Sequence, residues 1–372
     1  MVANKKKKIS ELFNFLPKSK IKAGEGLENG KYPFYTCSNE LTKYYDEYTF
    51  EPNKLIFGTG GSASLHYASE PFATSTDCYV IEAKELNVDV KYVYYYLKNN
   101  FQILEDGFKG AGLKHISKDY LSNIMIEYRN IEEQQRIVNI LDKAEEIRTK
   151  KKLANEKLDE FIKSMFLIYY KKGIQERKLE ELCEFITKGT TPKKHDMSQG
   201  EGDIPYIKVY NLLYDTKLDF SINPTFITKK AHKQELARSI VYPNDVLMNI
   251  VGPPLGKVSI VPNIFPEWNI NQAIVRFRCK TELNYRYLAW FLTTPYAMKQ
   301  MIKSAKKTSG QLNLTLDICR KLLIPIPPID LQNQFAQIVQ KVEAQKEKNQ
   351  KVIEQMNNLF NSLMQQAFNS SL

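Results

Sequence analysis

Asn223-Pro224-Thr225-Phe226 follows the Asn-Pro-x-aromatic order with which adenine methyltransferases hold the amino group of a flipped base. That chemistry also needs a glycine-rich loop after a strand, to carry S-adenosylmethionine. Phe57-Gly58-Thr59-Gly60-Gly61 is the nearest candidate, but it lies far upstream and no βαβ pattern surrounds it. Asn-Pro ordinarily opens a turn, and a turn is expected here. Asp77 with Glu82-Ala83-Lys84 has the residue types of a metal-dependent nuclease, in which two carboxylates hold Mg²⁺ beside a lysine. The acids are only five residues apart, and the corresponding stretch of the second half, Ala273 to Lys280, has none. An apolar strand ending in surface charge is expected instead. His66, His115, His195 and His232 make no His-x-x-x-His pair and no Cys–His set. The five cysteines, Cys37, Cys78, Cys183, Cys279 and Cys319, are scattered, which points to reduced thiols in a cytoplasm. Neither a metal site nor a catalytic centre is expected.

What remains is charge. The 372 residues carry a net +11, with lysines in small groups such as Lys5 to Lys8, Lys150 to Lys152, Lys193–Lys194 and Lys306–Lys307. Such an excess favours polyanionic partners, because phosphates neutralised by lysine release their counterions. A solvated lysine-rich surface would look the same in composition. Hydrophobic content of 43% suits globular domains, and no apolar run reaches the roughly 18 residues that span a bilayer. No apolar run follows the basic start, so no signal peptide and no membrane partner are expected.

These residues are positioned by a duplicated architecture. Glu132-Glu133-Gln134-Gln135-Arg136-Ile137 recurs as Asp330-Leu331-Gln332-Asn333-Gln334-Phe335, an offset of 198 (332 − 134). The same offset pairs Gly112 with Gly310, Asp119 with Asp317 and Lys143 with Lys341, without a gap as far as Phe166. Further back, Lys31-Tyr32-Pro33-Phe34-Tyr35 resembles Asp203-Ile204-Pro205-Tyr206-Ile207, and Pro52-Asn53-Lys54-Leu55 resembles Pro243-Asn244-Asp245-Val246. The chain reads as two copies of one unit, each a globular part followed by a regular part.

The regular part is helical. Apolar residues fall at Leu141, Ala144, Ile147, Ala154, Leu158, Phe161, Met165 and Ile168, interrupted by Lys151. The second copy gives Phe335, Val339, Val342, Val352, Met356, Leu359 and Leu363, interrupted by Gln345 and Asn349. Steps of three and four describe a coiled-coil-like seam. At about 1.5 Å per residue, each helix of roughly 35–40 residues would run roughly 55–60 Å. One stripe per copy is most simply buried by antiparallel pairing, although an amphipathic helix can also cap its own domain. The globular parts read as mixed and β-rich, with strands expected near Lys54–Phe57, Asp77–Ile81, Tyr206–Val209, Asp245–Ile250, Lys257–Val261 and Gln272–Phe277. Helices are expected at Val90–Lys98 and Tyr285–Thr293. Boundaries fall near 1–130, 131–175, 176–328 and 329–372.

This layout resembles the specificity subunits of type I restriction–modification systems over essentially the whole chain. The match is carried by the repeated junctions. Gly310-Gln311-Leu312-Asn313-Leu314-Thr315 leads through Asp317 and Leu322 to Pro328 into Asp330 and Gln332. Gly110-Ala111-Gly112-Leu113-Lys114-His115-Ile116-Ser117 leads through Asp119 and Ile124 into Glu132 to Gln135. Glu127-Tyr128-Arg129-Asn130 departs from the prolines common there. Ser117 and Thr315 are expected helix N-caps. The resemblance implies an α+β fold: two β-rich mixed recognition domains related by pseudo-twofold symmetry, separated by two long antiparallel coiled-coil helices. It implies a non-catalytic subunit that reads a bipartite sequence in double-stranded DNA and recruits two methyltransferase subunits and restriction/motor subunits. S-adenosylmethionine, ATP and Mg would bind those partners, with no cofactor in this chain. A fused methyltransferase–specificity protein would need the missing cofactor half, and a coiled-coil scaffold with duplicated heads would not bind DNA.

Within that reading the junctions are the first candidates for DNA contact: Lys109, Lys114 and His115 in one copy, Lys306, Lys307, Gln311 and Asn313 in the other. Lysines suit phosphates, and Gln or Asn suit adenine edges. Gly60, Gly61, Ser62 and His66, with Asn249, Lys257, Asn269, Asn271 and Gln272, come second.

Overall fold

The computed structural model describes residues 5–173, 175–252, 255–308 and 311–368, the side chains of 306–308 and 311–312 excepted. Contacts divide it into two compact units, 1–154 with 349–372, and 155–348. Two long helices run Ile131–Tyr170 and Ile329–Phe368. The compact units cut through both, because each unit packs part of each.

In the first unit Phe13–Phe15, Cys78–Ala83, Lys54–Gly58 and Leu65–Ala68 form an antiparallel four-stranded sheet in that order. Val90–Asn99, capped by the Asp89 carboxylate, buries Val90, Tyr92, Val93, Tyr96 and Leu97. A smaller sheet contains Tyr32–Tyr35 running parallel to Ala73–Thr74. The second unit repeats this order with Cys183–Lys188, Ile274–Cys279, Val246–Asn249 and Val258–Ile260. Ile204–Ile207 again runs parallel to Trp268–Ile270, here within five strands. Asn53 and Asn244 enter equivalent strands at φ 59° and 74°, a left-handed turn that Asn tolerates better than most residues. Lys5–Lys8 is a strand, paired with Met125–Tyr128, and Gln175–Lys178 pairs likewise with Leu323–Ile326.

The acidic-Gln motif has the same structural task in both units. Gln134 is buried, accepts from the Asp89 N–H at 2.9 Å and donates to the Asn87 and Arg129 carbonyls at 3.1 and 2.7 Å. Gln332 accepts from the Asn284 N–H at 2.9 Å and donates to the Glu282 and Pro327 carbonyls at 3.1 and 2.9 Å. Asp89 and Asn284 cap the equivalent helices Val90–Asn99 and Tyr285–Leu292, so each Gln fastens a long helix to its own domain.

Within each unit the long-helix segments pair antiparallel. In the first, Val138, Leu141 and Ala144 share a core with Phe360, Met364 and Phe368, Arg148 meets Asn357, and Lys151 donates to Asn349 at 3.3 Å. Two of the three polar interruptions, Lys151 and Asn349, thus answer each other. In the second, Phe166 packs on Phe335 and Lys346 pairs with Asp159 at 2.6 Å. The expected seam needs correction from Ile147 onward. Ile147, Phe161, Ile168 and Leu359 are exposed, and Ile162, Phe166, Tyr169, Ile353, Phe360 and Met364 are buried. From Ala144 to Ile162 and from Val342 to Phe360 is 18 residues (162 − 144; 360 − 342), which is five turns of an α-helix. A seam repeating every 3.5 residues drifts away from that by about 20° per heptad.

Candidate nucleic-acid interface

The first unit brings together two sequence segments that were separate candidates. Lys109 and His115 exchange backbone hydrogen bonds of 3.0 Å, closing the junction into a narrow loop. That loop is stitched to the glycine turn by Ile116 N–H to the Thr59 carbonyl, 3.1 Å, and Gly61 N–H to the Lys114 carbonyl, 2.9 Å. Gly61 adopts φ +85°. A Cβ on Gly60 would stand 3.2 Å from the His115 ring, so the missing side chain is what lets the imidazole lie against this backbone. Lys109, Lys114 and His115 are exposed, as are Gly61 and Ser62, and neither lysine makes an ion pair among the described residues. Ser117 caps the following helix by accepting from the Tyr120 N–H at 3.1 Å. His66 stands further back, its Nε2 2.7 Å from the Ser38 carbonyl and its ring on Tyr35.

The second unit builds the same junction. Leu314 N–H donates to the Ile250 carbonyl at 2.9 Å, Val251 bridges Asn313, and Thr315 caps the next helix through the Ile318 N–H. Asn313 occupies the position of His115 (115 + 198), and Val251 that of Gly60. Lys306, Lys307 and Gln311 lie in a two-stranded hairpin in which Lys306 is paired with Asn313, but their side chains lie outside the described residues, as does Gly310. The polar group is not gathered on this tip. Asn249 is fully buried, accepts from the Lys257 N–H at 2.9 Å and closes the turn between two strands. Asn269 is buried beside His232, 3.1 Å away, and the Leu236 carbonyl. Asn271 accepts from the Ala273 N–H, while exposed Gln272 bonds Thr191. Lys257 is half-buried with its ammonium over Tyr214.

Asn223 is a turn residue at φ 45°, its carbonyl accepting from the Tyr210 hydroxyl. Glu82 pairs with Lys54 at 3.0 Å, and Lys84 donates to the Ser10 carbonyl. No cluster of three or more His, Cys, Asp or Glu suited to a metal occurs among the described residues. No described helix is long and apolar enough to cross a membrane.

Sequence reasoning missed the sulfur beneath the first tip. Gly60 N–H donates to Cys37 Sγ at 3.4 Å, and Cys37 Sγ lies 3.1 Å from the Asp77 carbonyl. The Cys78 thiol, with the Gly60 and Thr59 N–H groups, pulls the Cys37 thiol down to about 6, against burial. Nothing in the spacing of Cys37, Gly60 and Cys78 announces this. It also missed Lys118 and Lys18, whose ammonium groups lie over Phe15 and Tyr79 at 5.1 and 4.3 Å.

Residues 1–157 and 171–358 match the type I restriction modification DNA specificity domain. The type I restriction enzyme MjaVIII specificity subunit of Methanocaldococcus jannaschii is 22% identical over 315 residues, 79% of this chain and 72% of that one. The EcoBI specificity subunit of Escherichia coli is 23% identical over 364 residues, 87% of this chain and 75% of that one. The fold is similar to the type I restriction–modification S subunit from M. genitalium, with a TM-score of 0.65, 18% identity and coverage of 98% and 96%. A chain from a study of assembly and conformational transition in the type I system gives 0.57, with 14% identity and coverage of 99% and 98%. At such identities the structural likeness shows the fold.

Proposed function

The chain belongs to the type I restriction–modification DNA specificity family, with a matched stretch in each half, and from that premise we propose that each unit reads one half of a bipartite duplex target through its glycine-and-junction tip. DNA sequence specificity is the family's role. The observation that carries the assignment to the tips is their duplication: the same backbone bonds fix His115 beside Gly60 and Asn313 beside Val251. In the first unit that tip is exposed and flanked by lysines with no carboxylate partner among the described residues. Lys109 and Lys114 hold phosphates, while the ring and amide read base edges.

In this reading the chain performs no catalysis, and two methyltransferase subunits and restriction/motor subunits assemble on it in the cytoplasm. S-adenosylmethionine, ATP and Mg belong to those partners. The long helices support such docking, because Ile140, Ile147, Leu153, Phe161, Leu167 and Ile168 on the first are 41–53% exposed.

The test replaces residues 176–328 with the second recognition domain of another family member and maps methylated sites with the methyltransferase supplied. One half of the target should change and the other persist. Alteration of both halves would contradict independent reading.

A further inference from the structure

The orientation of one ring fixes which bases the first tip selects. His115 Nδ1 lies 3.2 Å from the Thr59 carbonyl oxygen. A carbonyl can only accept, so Nδ1 carries the proton and Nε2 of the neutral ring is left with a lone pair. The backbone that carries the ring is held in place. Its own N–H and carbonyl are both bonded to Lys109, its neighbour Ile116 is bonded to the same Thr59 carbonyl, and Gly60 lies against its Cε1 and Nδ1 atoms. The residue is nonetheless exposed. A side chain anchored through one polar atom and open at the other is arranged to meet a donor from outside.

The second unit does not repeat this arrangement: Asn313, reached by the equivalent main-chain bond from Leu314 to Ile250, has its Oδ1 shielded from solvent, with no hydrogen-bond partner among the described residues.

We propose that His115 reads the first half-site as a hydrogen-bond acceptor, taking Nε2 to an exocyclic amino group in the major groove. In that groove adenine N6 and cytosine N4 offer donors, whereas guanine and thymine offer acceptors. The first tip therefore demands adenine or cytosine at one position and rejects guanine and thymine there. The inference rests on the tips reading DNA, as proposed above, and adds which bases the first takes.

The full chain, with methyltransferase supplied, is used to select bound sites from randomised duplexes, for wild type, H115A, H115Q and K109A. Wild type should require A or C at a position in one half-site. H115A should relax that position in one half alone by roughly three- to tenfold, the worth of one hydrogen bond. H115Q puts its Oε1 acceptor where Nε2 stood and should recover the preference. K109A should weaken all sequences alike. Unchanged stringency in H115A, or a wild-type preference for G or T at the affected position, overturns the proposal while leaving the tips as DNA readers. Absence of any sequence preference in wild type would overturn both.

Discussion

Cys183 and Cys279 face each other across antiparallel strands at a non-hydrogen-bonded position. The Cys183 N–H is turned to the Leu179 carbonyl, and the flanking bond runs from Lys280 N–H to the Leu182 carbonyl at 2.9 Å. Such pairs stand about 4.5 Å apart at Cα, at the near edge of the disulfide range. Their spacing of 96 residues (279 − 183) gives no hint of it.

Diamide, which takes two electrons and two protons from a thiol pair, should therefore link Cys183 to Cys279. Hydrogen bonding to Cys183 and burial push the Cys279 thiol up, so the reaction should be slow at pH 7 and faster in mild alkali. Peptide mass spectrometry without reductant checks it. Both cysteines remaining free for alkylation after prolonged oxidation would rule the geometry out.

Cys37 should behave in the opposite way. With its thiol near 6, its reaction with iodoacetamide should rise between about pH 5 and 7 and then level off. Buried Cys319, pushed up to about 12, should stay unmodified in the folded protein. A Cys37 rate still climbing above pH 8 would show that the Gly60, Thr59 and Cys78 contacts do not hold the thiolate.

Replacing Gln332 by Leu removes three hydrogen bonds at a buried site and should cost about 3 kcal/mol, since the Asn284 N–H and two carbonyls lose their partner. Both tryptophans, Trp268 and Trp290, lie in the second unit, so its urea transition can be followed by fluorescence. Q332L should move that transition, and Q134L should act mainly on circular dichroism. An effect of Q332L below about 0.5 kcal/mol would mean that the clamp adds little.

Removing Lys109 and Lys114 together should lower the salt dependence of duplex binding. If each holds one phosphate, the slope of log K against log salt should shrink by about 1.8, at about 0.9 per contact. A double alanine variant with the wild-type slope would place the phosphates elsewhere.

The duplication, the starts of both long helices, the caps Ser117 and Thr315 and the strands near Lys54 and Val246 were all legible in the sequence. Each is decided within a few residues, by a hydroxyl that satisfies a helix's first N–H groups or by apolar periodicity. The face each long helix buries was not legible, because it follows the straight 3.6-residue period and the domain each segment meets. Polarity alone also failed to separate Asn249 and Asn269, which close turns and fill buried hydrogen bonds, from Asn313, whose Oδ1 accepts no hydrogen bond among the described residues. Gly60 and His115 are 55 residues apart in the chain (115 − 60) and in contact in the fold. Only the pairing of Lys54–Gly58 with Cys78–Ala83, and the docking of the junction on the Thr59 carbonyl, bring them together. Sequence determined the elements and their repetition through local energetics. Tertiary structure decided the site, because a hydrogen bond between distant segments depends on the register of strands between them.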